Sequence, residues 1–223
     1  MSVDLRVDWC DYKAAKFAVE HWHYSQTVPA GKIAKFGVWE DGRFVGAVLY
    51  SWGANNNIGK PYGLKQVEVC ELVRVALTKH AAPVSQIVAA TLRMLKAQSP
   101  GLRLIVSYAD PREGHNGGIY QAMNWVYVGS SKSQKAGLDS KGNIVHKRTI
   151  HSLRGTLKGV ELSAHLWKHK YLYPLDRAMR KQIAPLAKPY PKRETCGQSV
   201  KGDTSGDQPE KAGSIPAARS DLG

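Results

Sequence analysis

Residues 67–109 read VEVCELVRVALTKHAAPVSQIVAATLRMLKAQSPGLRLIVSYA, and this stretch decides the fold. Val67, Val69, Glu71, Val73 and Val75 alternate with Glu68, Cys70, Leu72, Arg74 and Ala76, the pattern of a long central strand. Pro83 suits a first helical turn, and Val84, Ile87, Val88, Leu92 and Leu95 then recur at helical spacing. LRLIVSYA returns to a strand. Working outward, residues 11–22 predict a helix with Asp11 near its N-cap and Ala14, Phe17, Ala18 and Trp22 on one side. Phe36 to Trp39 and Phe44 to Tyr50 read as strands joined through Asp41-Gly42, a strong hairpin signal. GIYQAMNW adds a helix and VYVGSS a strand, so the order predicts a mixed α/β (α+β) domain with helices flanking a central sheet.

The chain has 223 residues, 43% of them hydrophobic, enough for one domain with a buried core. No apolar run approaches a membrane span, and MSVDLRVDWCDYK has neither the basic start nor the apolar stretch of a signal peptide, so a cytoplasmic protein without membrane partners is expected. Cys10, Cys70 and Cys196 are odd in number and widely spaced, which supports neither a disulfide framework nor a zinc knuckle. The formal net charge is +14 and uneven: residues 130–193 carry 15 Lys/Arg against 3 Asp/Glu, whereas residues 194–223 carry 3 against 5. A basic block favours a polyanion, most often nucleic acid, because each neutralised phosphate releases counterions; a solvated basic face is the plainer reading. Residues 194–223 have hardly any large apolar side chains and predict a disordered tail, leaving 1–193 as the domain, with a basic arm from about residue 130.

SYADPREGHNGGIYQAMNW (107–125) places polar residues at a strand end and then spends Gly114, Gly117 and Gly118, as a chain does where backbone must bend or approach a ligand. The order of elements resembles the GNAT acyltransferase fold, and GIYQAMNWVYVGS resembles its helix with an exposed Tyr before an aromatic strand. HWHYSQTVPAGKIAKFGVWEDGRFVGAVLYSWGANNNIGKPYG, VCELVRVAL, SYADPREGHNGGIYQAMNWVYVG and KHKYLYPLD together resemble the Mom family of bacteriophage DNA-modification enzymes, themselves regarded as divergent GNAT-like proteins, over most of residues 20–175. The resemblance implies transfer of a methylcarbamoyl group to the N6 amine of adenine in phage DNA, which protects that DNA from host restriction endonucleases. It also implies double-stranded DNA as partner, with the target adenine flipped out of the stack. One departure stands out. GNAT enzymes hold an acyl-CoA pyrophosphate on a glycine-bearing loop at the start of the helix after the long strand, and LTKHAAPVSQIV has no glycine. Lys79, His80 and the N–H groups near Val84 are the expected contacts for an acyl-CoA-type donor.

Within that resemblance, His23 and Tyr24 offer a base, a donor or metal ligands, against a packing and capping role. Asp110 is a base or a ligand of the exocyclic amine, or the common turn starter before Pro111; His115 is a proton shuttle or an idle loop histidine. Tyr120 is a general acid or a core aromatic. Arg74 binds an anion or pairs with Glu68 or Glu71, and Ser107 donates to the donor's carbonyl or closes a turn. Asn55, Asn56 and Asn57 can read an adenine edge or make turns. Lys147, Arg148, Arg154, Lys168, Lys170, Tyr171 and Arg177 are the expected DNA contacts, with Trp167, Tyr171 and Tyr173 interleaved for stacking. The sequence has no HExxH or CxxC; iron, which the resemblance suggests, requires His23, Tyr24, Asp110 and His115 to meet in space. Two other functions compete: an ordinary GNAT N-acetyltransferase of a small amine or protein lysine, which would want the missing glycine loop, and a non-catalytic DNA-binding protein, which would not need the polar cluster.

Overall fold

The computed structural model describes residues 3–53, 57–131, 134–138, 144–146 and 164–191, all within the compact unit Met1–Lys192. The expectations for Asn55, Asn56, Lys147, Arg148, Arg154 and the 194–223 tail lie outside the described residues.

The chain runs β1 (Leu5–Trp9), α1 (Tyr12–Trp22), β2 (Ile33–Glu40), β3 (Arg43–Ser51), β4 (Val69–Leu77), α2 (Val84–Gln98), β5 (Leu104–Ala109), α3 (Gly118–Ala122) and β6 (Val126–Ser130). Short strands β7 (Gln134–Leu138), β8 (Ile144–His146) and β9 (Ala164–Leu166) follow, then β10 (His169–Pro174) and α4 (Arg177–Ile183). Seven strands form one sheet in the order β1-β2-β3-β4-β5-β10-β6, while β8-β7-β9 form a second. In the large sheet only the β4–β5 pair is parallel. Two parallel neighbours need a crossover, and α2 supplies it.

Local chemistry explains the boundaries. Asp11 accepts from the Ala14 N–H and starts α1. Asp41 and Gly42 both have positive φ, +49° and +78°, which matches the twist of the β2–β3 hairpin they join. On one face of the sheet α2 and α3 bury Ile87, Val88, Leu92, Leu95 and Tyr120 against Phe36, Val48, Tyr50, Leu72 and Ile105. On the other, α1 covers Ala47, Leu49 and Ala76, and α4 covers Leu104, Val106 and Leu172. Each such fully buried Leu, Ile or Val contributes about 1.5–3 kcal/mol, so the sheet is held from both sides.

β4 departs from the plain alternation of the sequence. It starts at Val69 rather than Val67, because Gln66–Glu68 form a 3-10 turn. It also carries a bulge: Leu49 pairs with Arg74 and Tyr50 with Leu72, so Val73 has no cross-strand partner. The extra residue flips the pattern. Cys70, Leu72, Val75 and Leu77 face α2, whereas Val73 and Ala76 face α1. The parallel pairing with β5 ends at the same level, at Leu72 and Ser107.

Candidate active site

Past Leu72 and Ser107 the strands β4 and β5 part, and the candidate residues gather around that opening. Ser107 is fully buried and donates its hydroxyl hydrogen to the Leu72 carbonyl at 2.9 Å. That hydrogen is spent, so Tyr120, 2.8 Å away, donates its own to Ser107 Oγ. The relay links β4, β5 and α3 at the last paired level of the two strands. Tyr120 also packs on Trp125 and Tyr171 with ring centroids at 4.9 Å, and burial pushes its phenol up to about 12. Its resting place is the core, with the hydroxyl turned toward the strand split.

His23 closes α1 and Tyr24 follows it, their rings 4.3 Å apart at the centroids. The Ser25 backbone N–H points at His23 Nδ1 at 3.1 Å and the Ser25 hydroxyl lies 2.8 Å from the same atom. A backbone N–H can only donate, so Nδ1 is the acceptor and the ring hydrogen sits on Nε2. Burial, then the charges of Arg74, His115 and Lys168, lowers the His23 pKa to about 4. The imidazole is therefore neutral near pH 7 and presents an N–H donor. Tyr24 is half exposed and meets the His115 ring edge-on at 5.6 Å.

Arg74 makes no salt bridge to Glu68 among the described residues. Its guanidinium donates to the Thr27 carbonyl at 3.2 and 3.1 Å and to the Val73 carbonyl at 2.7 Å, tying the segment after α1 to the bulge in β4. Burial lowers its pKa, countered by Tyr24 and Glu71. Asp110 lies beyond the end of β5 and is 2% exposed. Its Oδ1 accepts from Arg112 N–H at 3.1 Å and Nε at 3.2 Å, and its Oδ2 from Arg112 Nη2 at 2.9 Å, with Lys168 Nζ at 3.3 Å. Burial, the largest influence, raises its pKa, yet the Arg112 hydrogen bonds and Lys168 outweigh it and hold the group below the ordinary carboxylate value. A carboxylate so occupied is a weak base and a strong organiser of cations.

Asp110 also shapes the glycine loop, capping the 3-10 turn Pro111–Glu113 and accepting the His115 N–H at its carbonyl. Gly117 has φ +80°, and a Cβ there would lie 2.3 Å from the Tyr171 ring, so glycine is required. Tyr171 corrects an expectation. Placed among the DNA contacts by its basic neighbours, it is fully buried and donates its hydroxyl to the Asn116 carbonyl at 2.6 Å. Alternation along β10 sends it to the core face. Lys170, one residue before, points to the opposite face, its ammonium 5.1 Å from the Tyr62 ring centroid and 6.0 Å from that of Tyr108. Burial lowers its pKa, against the pull of Glu71. Arg177 is exposed but remote: β10 runs antiparallel to β5, so Pro174 pairs with Leu104, about 20 Å of strand from Asp110. Lys168 is at the site, Trp167 packs edge-on against the His169 ring at 5.1 Å, and Asn57 is exposed in the turn before Lys60–Tyr62.

Just before α2, Glu40 takes up two backbone N–H groups. Ala81 donates to both oxygens of Glu40 at 3.0 and 2.8 Å, and Ala82 donates to Oε1 at 2.7 Å, both ahead of the N-cap Pro83, so these bonds do not involve the Val84 N–H. These bonds hold the Glu40 pKa down. His80 turns its Nδ1 to the Thr78 carbonyl at 2.7 Å, and Arg43 donates to the Lys79 carbonyl. Glu40, Ser25, Thr27 and Arg112 escaped the sequence reading. Only Arg112 left a signal, in the Asp-Pro-Arg spacing that lets an arginine reach back to the carboxylate capping its own turn.

Among the described residues no group of three or more His, Cys, Asp or Glu side chains is placed to hold a metal ion. The candidates fit iron poorly as they stand, since Asp110 is engaged by two cations and His23 Nδ1 by Ser25. Among the described residues no helix is long and apolar enough to cross a membrane.

The chain is 27% identical over 207 residues to the methylcarbamoylase mom of Escherichia phage Mu, covering 86% of this chain and 85% of that protein. It is similar to the solved structure of FeeM, an N-acyl amino acid synthase from uncultured soil microbes, at 13% identity and a TM-score of 0.47, over 83% of this chain and 98% of that one. A GNAT-family acetyltransferase from Streptococcus pneumoniae matches at 11% identity and a TM-score of 0.45, over 78% and 100% of the two chains. The sequence model of the Mom protein family matches residues 4–192, nearly the whole compact unit and every described candidate above, and the chain belongs to that family.

Proposed function

We propose that this protein transfers a methylcarbamoyl (acetamido-type) group to N6 of adenine in DNA, a modification that shields phage DNA from restriction endonucleases. Kinship with a methylcarbamoylase supports the chemistry. The observation that carries the reading is the meeting of His23, Tyr24, Asp110 and His115 beside the β4–β5 split, with Lys168 and Arg112 at its rim. The N6 lone pair is delocalised into the purine, so the amine must be positioned, relieved of a proton and matched by stabilisation of charge on the donor. The N6–carbon bond forms as the carbon's bond to the leaving group breaks, and the leaving group ends protonated. The neutral His23 Nε2–H donates to the oxygen on which charge develops. His115, on the exposed side of Tyr24, accepts the N6 proton, and Tyr24 gives the extruded base a face to stack on. No step is assigned to iron. Glu40 holds the Ala81 and Ala82 N–H groups, so an acyl-CoA-type donor would meet the start of α2 through the N–H groups from Val84 onward.

Expression in a bacterium followed by mass spectrometry of digested plasmid nucleosides tests the reading. A new deoxyadenosine species that vanishes with His23→Ala is expected. Unmodified DNA together with an acetylated amine or protein would overturn it in favour of an ordinary acetyltransferase, and DNA retention without a new nucleoside in favour of a binding protein.

A further inference from the structure

Asp110 is almost fully buried, while the side chains of the cations it holds, Arg112 and Lys168, are 42% and 40% exposed. Two of the five guanidinium hydrogens of Arg112 are spent on the carboxylate, through Nε and Nη2. That fixes the plane of the group and turns its Nη1 edge away from Asp110. Lys168 is anchored through its backbone, which exchanges hydrogen bonds with Ser131 at 2.9 and 2.7 Å. One buried negative charge thus faces two cations; Glu113 adds a negative charge that acts on Arg112, and Arg74 and Lys168 both act on His23. The surplus charge points outward beside the exposed Tyr24, which acts on Arg112. A planar fork and a point charge sharing one carboxylate form a two-armed clamp for a tetrahedral oxyanion.

The geometry points to Arg112 and Lys168, positioned by Asp110, as the clamp for one DNA backbone phosphodiester adjoining the extruded adenosine. This rests on the DNA reading above and deepens it. Extruding a nucleotide breaks its stacking and leaves its flanking phosphates as the remaining fixed handles. A clamp beside the aromatic faces fixes where the base enters. Asp110 then acts as a positioning residue, which accounts for a buried carboxylate whose environment weakens it as a base.

Fluorescence anisotropy tests the assignment with a labelled duplex of a sequence that the wild type modifies, carrying either natural phosphates or an uncharged methylphosphonate at each position flanking the target adenosine. For the wild type, one flanking methylphosphonate should weaken binding about tenfold. Arg112→Ala should weaken natural-duplex binding several-fold and lose distinctly less than the wild type to that methylphosphonate, because one of the two arms is already gone and only Lys168 remains on the phosphate. Arg112→Lys keeps the charge without the fork and should fall between the two, supplying the same comparison should the alanine variant fold poorly. Losses that simply multiply, or natural-duplex binding unchanged in both variants, would overturn the clamp. So would weaker coenzyme A binding in Arg112→Ala with DNA binding intact, which would assign the phosphate to the donor. If the wild type yields no modified nucleoside, the functional reading itself falls; modification with multiplying losses removes the clamp alone.

Discussion

Two buried carboxylates stand at the same edge of the sheet and do opposite things. Just before α2, Glu40 accepts three backbone contacts from Ala81 and Ala82 and is satisfied within the fold. At the end of β5, Asp110 accepts from Arg112 and Lys168 and leaves both cations facing outward. One acid consumes backbone donors and the other gathers cations. Burial forces each carboxylate to be satisfied; whether its partners are internal amides or half-exposed cations decides whether the region turns to ligand.

The comparison breaks most directly at Asp110. Asp110→Ala should lower modification about 100-fold or more, since it frees two cations and uncaps the glycine loop, as read by nucleoside mass spectrometry. Near-normal activity would put Asp110 on the same structural footing as Glu40.

His23→Ala should cost about 100-fold through loss of the Nε2–H donor. The wild-type pH profile sharpens the point. With its pKa at about 4 in the folded protein against 6.5 for a free imidazole, His23 stays neutral through pH 6. Activity due to this group should fall only as the pH approaches 4. Between about 6.5 and 4 the unfolded chain binds the proton more readily than the folded one, so stability should decline as pH falls through that window and level off below it. A variant without the imidazole should lose less over the same range, measured by thermal melts at stepped pH. A midpoint in activity near 6.5 that His23→Ala abolishes would contradict the assigned tautomer and environment.

Glu40→Ala opens the other region. Freed Ala81 and Ala82 N–H groups should bind coenzyme A more tightly than in the wild type by calorimetry, at a lower melting temperature. Unchanged affinity would mean that donor phosphates avoid this place even when it is open. The smallest effect is expected from deleting residues 194–223, which lie outside the family match and should leave modification unchanged; a loss of activity would bring that segment into the function.

Much of the fold was legible because period and punctuation are local. Asp11, Asp41-Gly42, Pro83 and the spacing from Val84 to Leu95 each mark structure through their own backbone preferences. The bulge at Val73 was not legible, since valine fits plain alternation as well as it fits the bulge and only the register with β3 tells them apart. Tyr171 was misplaced because its neighbours in sequence are basic, whereas its neighbours in space are Tyr120, Tyr127 and Gly117. The family motifs singled out His23, Tyr24 and Asp110 without saying what each was bonded to.

By itself, then, the sequence determined the α/β class, the strand and helix order, the family and the residue types at the site, all of which follow from periodicity and short motifs. Tertiary structure decided that His23 is a donor, that Asp110 is held by Arg112 and Lys168, and that Glu40 takes the Ala81 and Ala82 N–H groups. Those roles depend on proton positions and charge partners brought from 2 to 58 residues away, and the energy of a buried polar group is set by what surrounds it in space.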